Sequence, residues 1–325
     1  MVAGSRPLNP SYGGTPLNTW YAIDGTICTK RGAGPIMCAH VSAFSRVFTE
    51  PGAVRYRTKP CTPCTKKADE PNGCSMGVRS LAPSLEIDLI PQSHVRNRLL
   101  RLMSPDDFAS LAPHLEHVDL PRSFQIAPAN QPITHVYFHD RGIASIVAVS
   151  PEGQRAEVGL VGRDGLVPTA SILKSGTSPH DIFVQVAGDG HRIEADVFQE
   201  ALASSANLMS MCLRFVNTLA TQSAYTALSN AVHHVDERLA RWILMSHDRT
   251  DGPQIALTHE FLAIMLAVRR PSVTTALHVL EGNKFIYAER GLITVRDRQG
   301  LESFASDAYG IPEKEYERLI GSMHE

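Results

Sequence analysis

Short apolar runs alternate with glycine turns through the middle of the chain. Glycine lies between or beside these runs at positions 142, 153, 162, 165, 188 and 190. The segments with strand-like composition are 123–127, 135–138, 143–150, 156–161, 181–187 and 191–195. Strands that recur every 8–12 residues or so, with glycine between them, are typical of antiparallel barrels and sandwiches. The pattern therefore predicts an antiparallel β-structure here.

Helical patterns lie on both sides of the predicted sheet. Residues 95–103 form a short amphipathic pattern, and Ser104 with Pro105 begins a second helix with an N-cap and an early proline. Residues 196–202 return to a helical pattern after the last strand. The strands are thus expected to form one domain with short helices at its two ends.

Residues 206–235 have the pattern of one long helix. Apolar or small residues recur three or four positions apart, at Met209, Cys212, Leu213, Val216, Leu219, Ala220, Ser223, Ala227 and Ala231. Such a stripe can belong to an ordinary core, but a helix of this length usually needs a partner along its whole length. We therefore predict a symmetric helix–helix contact between two copies of the chain. Cys212 is expected to be a buried, unreactive thiol.

The C-terminal part has the pattern of a winged helix-turn-helix. After a helix over 237–246, Thr258 caps a helix that ends at residue 266, and a second helix covers 270–281. Two helices joined by about three residues are typical of a helix-turn-helix. Strand-like runs at 285–288 and 292–295 then predict a β-hairpin wing.

The side chains at the start of the second helix suit DNA. Arginine can bind guanine or a phosphate, and hydroxyl groups suit base edges or phosphates. The candidate DNA-binding residues are Thr258, Arg269, Arg270, Ser272, Thr274, Thr275 and His278. In isolation, the two arginines could equally belong to a solvated turn. The wing and the long helix before it favour DNA binding.

This succession of elements resembles the Crp/Fnr family of bacterial transcription regulators. The resemblance covers residues 95–325 and is most specific over 236–295, which include Leu-Thr-His-Glu-Phe-Leu-Ala-Ile-Met-Leu-Ala-Val-Arg-Arg-Pro-Ser-Val-Thr-Thr-Ala-Leu. It implies an α+β fold with a cyclic-nucleotide-binding-like antiparallel β-roll, a long dimerisation helix and a C-terminal winged helix-turn-helix. It also implies three partners: double-stranded DNA at palindromic sites, a second copy of the chain, and RNA polymerase.

The resemblance also implies roles for individual residues. Arg270 matches the main base-reading arginine of the family, and Arg269 matches its neighbour at the start of the helix. Ser272 and Thr275 match other DNA-facing positions, and Thr258 matches a phosphate contact. Pro271 replaces a glutamate that reads bases in the best-known members, and Thr275 replaces a second arginine. A different DNA sequence preference is therefore expected.

The predicted β-roll departs from the cyclic-AMP-binding members of the family. Those members have a Gly-Glu turn followed some ten residues later by Arg-Ser, which hold the ribose and phosphate. Here Gly165 is followed by Leu166, and the later region contains Ser178, His180 and Asp181 without an arginine. A phosphate site without its arginine and with a carboxylate nearby is unfavourable. The effector is therefore expected not to be cyclic AMP.

Residues 1–75 differ from the rest in charge and cysteine content. They contain nine Lys and Arg against four Asp and Glu, and five of the six cysteines: Cys28, Cys38, Cys61, Cys64 and Cys74. Their composition predicts a poorly ordered extension, which could be non-native sequence upstream of Met76. The boundaries expected are 1–75, 76–205, 206–235 and 236–325. A redox or metal sensor acting through these cysteines is the alternative function, although a lone Cys-x-x-Cys is weak evidence.

The overall composition adds mainly exclusions. The chain has 325 residues, 43% of them hydrophobic and 20% charged, with a net charge of −2, which is ordinary for globular proteins. The longest stretch without charged residues, 215–235, is too polar for a membrane span, and a cytoplasmic location is expected. Neither His135 with His139 nor His233 with His234 has enough further ligands for a metal site. No enzyme motif is present, so we expect a non-enzymatic regulator without a cofactor or metal. A small-molecule-binding module whose winged helix contacts only proteins is a third possibility.

Overall fold

The computed structural model describes residues 18–21, 26–30, 37–40 and 90–323, and the chain separates into two units, 1–79 and 80–325. In the first unit, strands β1 (Asn18–Tyr21), β2 (Thr26–Lys30) and β3 (Met37–His40) form an antiparallel sheet in that order. The sequence did not predict them, because runs of four or five residues show little alternation even when rich in β-formers. The register places Cys28 opposite Cys38, while Cys61, Cys64 and Cys74 lie outside the described residues.

The second unit contains the remaining helices and strands. Its strands are β4 (Glu116–Leu120), β5 (Gln125–Ala127), β6 (His135–His139), β7 (Ile143–Val149), β8 (Arg155–Val161), β9 (Leu166–Val167), β10 (Asp181–Val186), β11 (Gly188–Glu194), β12 (Gln254–Ile255), β13 (Ile286–Glu289) and β14 (Leu292–Val295). Its helices are α1 (Arg98–Leu102), α2 (Pro105–Leu111), α3 (Ala195–Ser204), α4 (Ala206–Val232), α5 (Val235–His247), α6 (His259–Leu266), α7 (Arg270–Gly282), α8 (Arg298–Ala305) and α9 (Ile311–Leu319).

Two four-stranded antiparallel sheets form the predicted β-roll. Their strand orders are β5-β10-β7-β8 and β4-β11-β6-β9. The side chains between them include Phe138, which meets Phe198 of α3 edge to face at 5.8 Å. The antiparallel fold is confirmed, although β4 and β9 were not predicted. Strand β4 buries only Leu120, and β9 has two residues, so neither leaves a period-2 pattern.

Helix α4 is the predicted long helix, with 27 residues. Ser205 caps it by accepting a hydrogen bond from the Leu208 amide at 3.1 Å. The predicted stripe of apolar and small residues is divided between the two sides of α4: Cys212 is buried, whereas Leu213, Ala220, Ala227 and Ala231 are exposed. Cys212 is fully buried, and burial raises the pKa of its thiol to about 12, as expected for an unreactive cysteine.

The polar residues on the inner side of α4 complete the edge of the β-roll. Strand β8 is the last strand of its sheet, so the outward backbone groups of Leu160 and Val158 lack a strand partner. The Leu160 amide donates to Gln222 Oε1 at 2.8 Å, and Gln222 Nε2 donates to the Leu160 carbonyl at 3.2 Å. Ser223 donates to the Val158 carbonyl at 2.8 Å. Side chains of α4 therefore supply the hydrogen bonds that a neighbouring strand would otherwise make with the outer edge of β8.

Phe215 fixes α4 against the turn before β9. A Cβ built on Gly165 would lie 2.0 Å from Cζ of Phe215, so the aromatic ring occupies the space that a side chain would need. The enclosed space beside this contact, lined by Thr218, Gln222 and Tyr316 among others, measures about 10 Å³. That volume is close to one water molecule. The β-roll and α4 are thus tightly packed at this point.

The sequence also left the two C-terminal helices unassigned. Helix α9 packs on α4, and the Tyr316 hydroxyl donates to the Asp164 carbonyl at 2.7 Å. The Asp164 carboxylate in turn pairs with Arg249, just after α5, at 2.7 Å, and both side chains are buried. These contacts join the β-roll, the long helix and the C-terminal domain within one chain.

A line of buried polar groups crosses from the β-roll to α6. Ser145 donates to Gln185 Oε1 at 2.8 Å, and Gln185 Nε2 lies 2.8 Å from the Met265 sulfur. Glu157 on β8 belongs to the same cluster, and burial raises the pKa of its carboxyl from 4.5 to about 8. At neutral pH this carboxyl is therefore mainly protonated.

Replacing Gly165 should destabilise the protein by overpacking. We expect Gly165→Ala to lower the free energy of unfolding by about 1–3 kcal/mol, since the new methyl group meets the Phe215 ring. Gly176→Ala is the matched control, because a Cβ there meets nothing within 4 Å. Urea unfolding measures both variants. Repeating Gly165→Ala in a Phe215→Leu background should reduce its cost, and an undiminished cost would contradict this account.

Glu157 should make stability depend on pH. The unfolded chain ionises this carboxyl near 4.5 and the folded protein near 8, so the folded protein holds an extra proton between these values. Its contribution to stability is present below the lower value and is lost as pH rises through the window. We therefore expect Glu157→Gln to gain stability relative to the parent between about pH 5 and about pH 8. Urea unfolding at the two pH values measures this gain, and Glu152→Gln, in an exposed turn, is the control. Equal changes in the stability of the two variants would contradict the role of Glu157.

Candidate nucleic-acid interface

The turn between α6 and α7 brings the two helices into a helix-turn-helix. Thr258 caps α6 by accepting from the Phe261 amide at 3.3 Å, as the sequence predicted. Ala267 ends this helix in a left-handed conformation, with φ 48°, which is uncommon outside glycine. The Val268 amide then donates to the Ala263 carbonyl at 3.0 Å. Arg269 is the N-cap of α7, and Pro271 lies in its first turn.

Helix α7 has one buried and one exposed side. Val273, Ala276, Leu277 and Leu280 are buried. The exposed candidate residues are Arg269, Arg270, Ser272, Thr275 and His278, while Thr274 is half-buried. The hydroxyl of Thr274 donates to the Arg270 carbonyl at 3.3 Å, and that of Thr275 donates to the Pro271 carbonyl at 3.2 Å. Both oxygens remain able to accept hydrogen bonds.

The wing lies next to the N-terminus of α6. Strands β13 and β14 are joined by Arg290 and Gly291, both with positive φ, in the manner of a tight hairpin turn. A Cβ on Gly291 would lie 3.6 Å from the Thr258 methyl group. Strand β12, which the sequence did not predict because it has two residues, extends this sheet beside β14. The wing turn therefore places exposed Arg290 close to Thr258, a proximity that spacing along the chain does not reveal.

Arg270 forms an exposed ion pair across the turn. Its guanidinium lies 3.2 Å from the Glu260 carboxylate, and the two side chains are 65% and 69% exposed. Pairs so exposed contribute little to stability. Arg270 is thus held at the start of α7 but can exchange this carboxylate for another anionic partner.

The candidate residues converge only in part. Thr258, Arg269 and Arg270 lie around the N-termini of α6 and α7, where backbone N–H groups and the helix dipoles favour anions. Ser272 and Thr275 instead line a cleft of about 360 Å³ with His234 and Asp236 at the start of α5. His278 is further along α7. The sequence predicted the positive end of this surface but missed Glu260 and Asp236, which place carboxylates at its edges.

The histidine pairs do not form metal sites within the described residues. His139 is fully buried, and burial lowers its pKa to about 4. His233 lies between Ser229 at 3.1 Å and Asp307 at 2.9 Å. In the described part of the chain, no group of three or more His, Cys, Asp and Glu side chains is placed to hold a metal ion. In the same part, no helix is long and apolar enough to cross a membrane.

Sequence comparison identifies the C-terminal domain. Residues 237–304 match the Crp-like helix-turn-helix domain family. The search of curated proteins finds no match.

Solved structures identify the fold of the chain. A protein from Eubacterium rectale assigned to the Crp/Fnr family of transcriptional regulators is 18% identical, with 64% of this chain and 97% of that one covered and a TM-score of 0.51. The c-di-GMP-responsive global regulator CLP of Xanthomonas campestris is 15% identical, with 59% and 99% covered and a TM-score of 0.49. A Crp-family regulator from Thermus thermophilus is 17% identical, with 58% and 96% covered and a TM-score of 0.48.

The fold assignment depends on the Eubacterium rectale structure, whose own length is almost entirely covered. The matched domain is a helix-turn-helix, and the fold is that of the Eubacterium rectale protein. Residues 237–304 are therefore a Crp-like helix-turn-helix domain, and the chain has the fold of a protein assigned to the Crp/Fnr family of transcriptional regulators.

Proposed function

We propose that this protein is a sequence-specific transcription regulator that binds palindromic DNA as a homodimer. The observation that supports this most directly is the exposed start of α7, with Arg269 and Arg270, on a domain that matches the Crp-like family. Arginine at that position can reach guanine in the major groove. Thr258 at the start of α6 and Arg290 in the wing turn then contact the flanking phosphates.

Arg270 and Thr258 have different roles in this proposal. Arg270 reads a base, because its side chain is exposed and, among the described residues, it pairs only with the solvent-exposed carboxylate of Glu260. Thr258 positions the protein, since its hydroxyl lies at the N-terminus of α6, where phosphate oxygens are favoured. Pro271 offers no hydrogen-bonding side chain, and Thr275 offers a hydroxyl. The preferred sequence is therefore expected to differ from that of members with glutamate and arginine at these positions.

Arg270→Ala should flatten the preference for one base pair in each half-site. A bidentate arginine–guanine contact contributes about 1–3 kcal/mol of discrimination, whereas a phosphate contact carries no sequence information. Thr258→Ala should therefore weaken binding to all sequences alike. The measurement is a titration of both variants against single-base changes in an operator selected from random DNA. Retention of the parent's full sequence preference by Arg270→Ala would remove α7 as the reading element.

The outer side of α4 supports the homodimer. Apart from exposed Arg214 in the first half, this side is uncharged, with exposed residues at Ala206, Ser210, Leu213, Asn217, Ala220, Ala224, Ala227, Leu228 and Ala231. The exposed fractions of Leu213 and Leu228 are 45% and 49%, large for leucines on a helix of this length. Small residues allow two helices to approach closely about a two-fold axis. Half-sites are then expected about 10–10.5 bp apart or at a multiple of that spacing.

Ala227→Glu should break the homodimer. The substitution places two carboxylates near each other across the proposed axis, where they have no partner. Ala227 tests this better than Val216, which is half-buried against the protein's own β-roll. Sedimentation velocity measures the change, and Ala203→Glu, exposed at the end of α3, is the matched control. A monomeric parent, or an Ala227→Glu variant that sediments as the parent dimer does, would refute the interface.

The effector is proposed to be something other than cyclic AMP. Leu166 replaces the family's glutamate and is fully buried. Asp181 belongs to the region that contains Arg-Ser in the cyclic-AMP-binding members, and its carboxylate already accepts from the Ala129 amide at 2.9 Å. These residues do not supply the hydrogen bonds and positive charge that a cyclic phosphate requires. RNA polymerase, implied by the family resemblance, stays a predicted partner.

A further inference from the structure

A cleft of about 400 Å³ lies between the β-roll and the N-terminus of α6. Thr258 and Glu260 line it on the α6 side, and Arg122 and Arg155 line it on the β-roll side. Two arginines of the β-roll thus share a surface with the residue proposed to contact a DNA phosphate. Neither belongs to the helix-turn-helix or the wing.

The turn between β4 and β5 holds the backbone of Arg122 in place. Ser123 has a φ of 68°, a left-handed conformation that a non-glycine residue adopts only where its surroundings enforce it. The Ser123 amide donates to the Val184 carbonyl at 2.7 Å, and the Phe124 amide closes the turn onto the Pro121 carbonyl at 3.0 Å. Arg122 itself is exposed, and no described side chain pairs with it.

Arg155 is held beside the same cleft by contacts that also reach α6. Its guanidinium lies over the Phe183 ring at 5.4 Å and 3.8 Å from the Asp181 carboxylate. Phe183 stacks on Phe261 of α6 with ring centroids 6.0 Å apart. The β-roll and the N-terminal turn of α6 are therefore in direct contact, and their relative position is set by packed aromatic rings.

The charges of this cleft fit a chain of phosphates. In the protein without DNA, Glu260 is paired with Arg270 and Asp181 is close to Arg155, so Arg122 is the cation without a carboxylate among the described residues that line the cleft. Each strand of duplex DNA carries a phosphate about every 3.4 Å along its axis. A strand whose phosphate lies at Thr258 therefore places neighbouring phosphates within reach of an arginine across the cleft.

We infer that Arg122, with Arg155 beside it, binds the DNA backbone, so that the β-roll forms part of the DNA-binding surface. This inference rests on the proposed function. It assigns to the β-roll a share of the affinity for DNA that is independent of base sequence. Because the β-roll is packed against α6, binding of the helix-turn-helix brings Arg122 to the DNA backbone without a further rearrangement.

The test compares Arg122→Ala with Arg101→Ala, an exposed arginine on α1 outside the cleft. The dependence of log K on log salt is measured for each variant with a selected operator and with unrelated DNA. Each lost phosphate contact lowers the slope by about one, so a dimer losing two contacts should lose about two. Affinity for both DNAs should fall by the same factor, and the base preference should not change. Arg122→Lys should restore most of the slope.

Phosphate-ethylation interference gives an independent readout. With the parent protein, ethylation of one phosphate per half-site should interfere through Arg122, and this position should disappear with Arg122→Ala. Because Arg122 is exposed, the melting temperature should not change, which excludes misfolding as the cause.

The possible failures can be told apart. If Arg270→Ala flattens the sequence preference but Arg122→Ala behaves like Arg101→Ala, the proposed function stands and the β-roll contact is wrong. If the parent shows no salt-dependent affinity for any DNA, the proposed function and the β-roll contact are both wrong.

Discussion

The open edge of strand β8 is the constraint on which the arrangement of this protein depends. A sheet edge inside a folded chain leaves backbone N–H and C=O groups that must find partners. Gln222 and Ser223 of α4 supply those partners to Leu160 and Val158. The Gln222 backbone carbonyl in turn lies 3.4 Å from the Arg241 guanidinium of α5. Gln222 thus completes the β-roll with its side chain and contacts α5, the first helix of the C-terminal domain, with its backbone carbonyl.

This constraint explains the unusual composition of the long helix. The inward residues Thr218, Gln222 and Thr226 of its second half are polar and buried. Gln222 bonds to the backbone of β8, whereas the two threonine hydroxyls donate to carbonyls of α4 itself. The outward residues of the same half are uncharged and include Ala220, Ala224, Ala227 and Ala231, which suits contact with a second helix. In the sequence the two sides differ little in polarity, so α4 has the pattern of a weakly amphipathic helix. The spacing predicted the helix and its length, but the division of its stripe required knowledge of where the β-roll lies.

Local signals account for most of what the sequence predicted correctly. The cap at Thr258, the early Pro271 and the apolar spacing of α7 are properties of a few neighbouring residues, and they were sufficient for the helix-turn-helix. Contacts between distant residues were not predictable in this way. Tyr316 reaches Asp164, and Arg122 faces Thr258 across a cleft. No periodicity records such pairs, so the placement of α9 and the proposed contribution of the β-roll to the candidate interface emerge only from the fold.

Two ion pairs with opposite exposure show how the C-terminal domain can be both fixed and available. Asp164 and Arg249 are 5% and 2% exposed, so removing either partner would leave an uncompensated buried charge, at a cost of about 3–5 kcal/mol. Glu260 and Arg270 are exposed, and separating them in water costs about 1 kcal/mol or less. The first pair holds the C-terminal domain against the β-roll, since separating its two side chains would leave buried charges without partners. The second pair lets Arg270 exchange the Glu260 carboxylate for DNA, because the exposed guanidinium is hydrogen-bonded to the carboxylate, to water or to DNA at every stage.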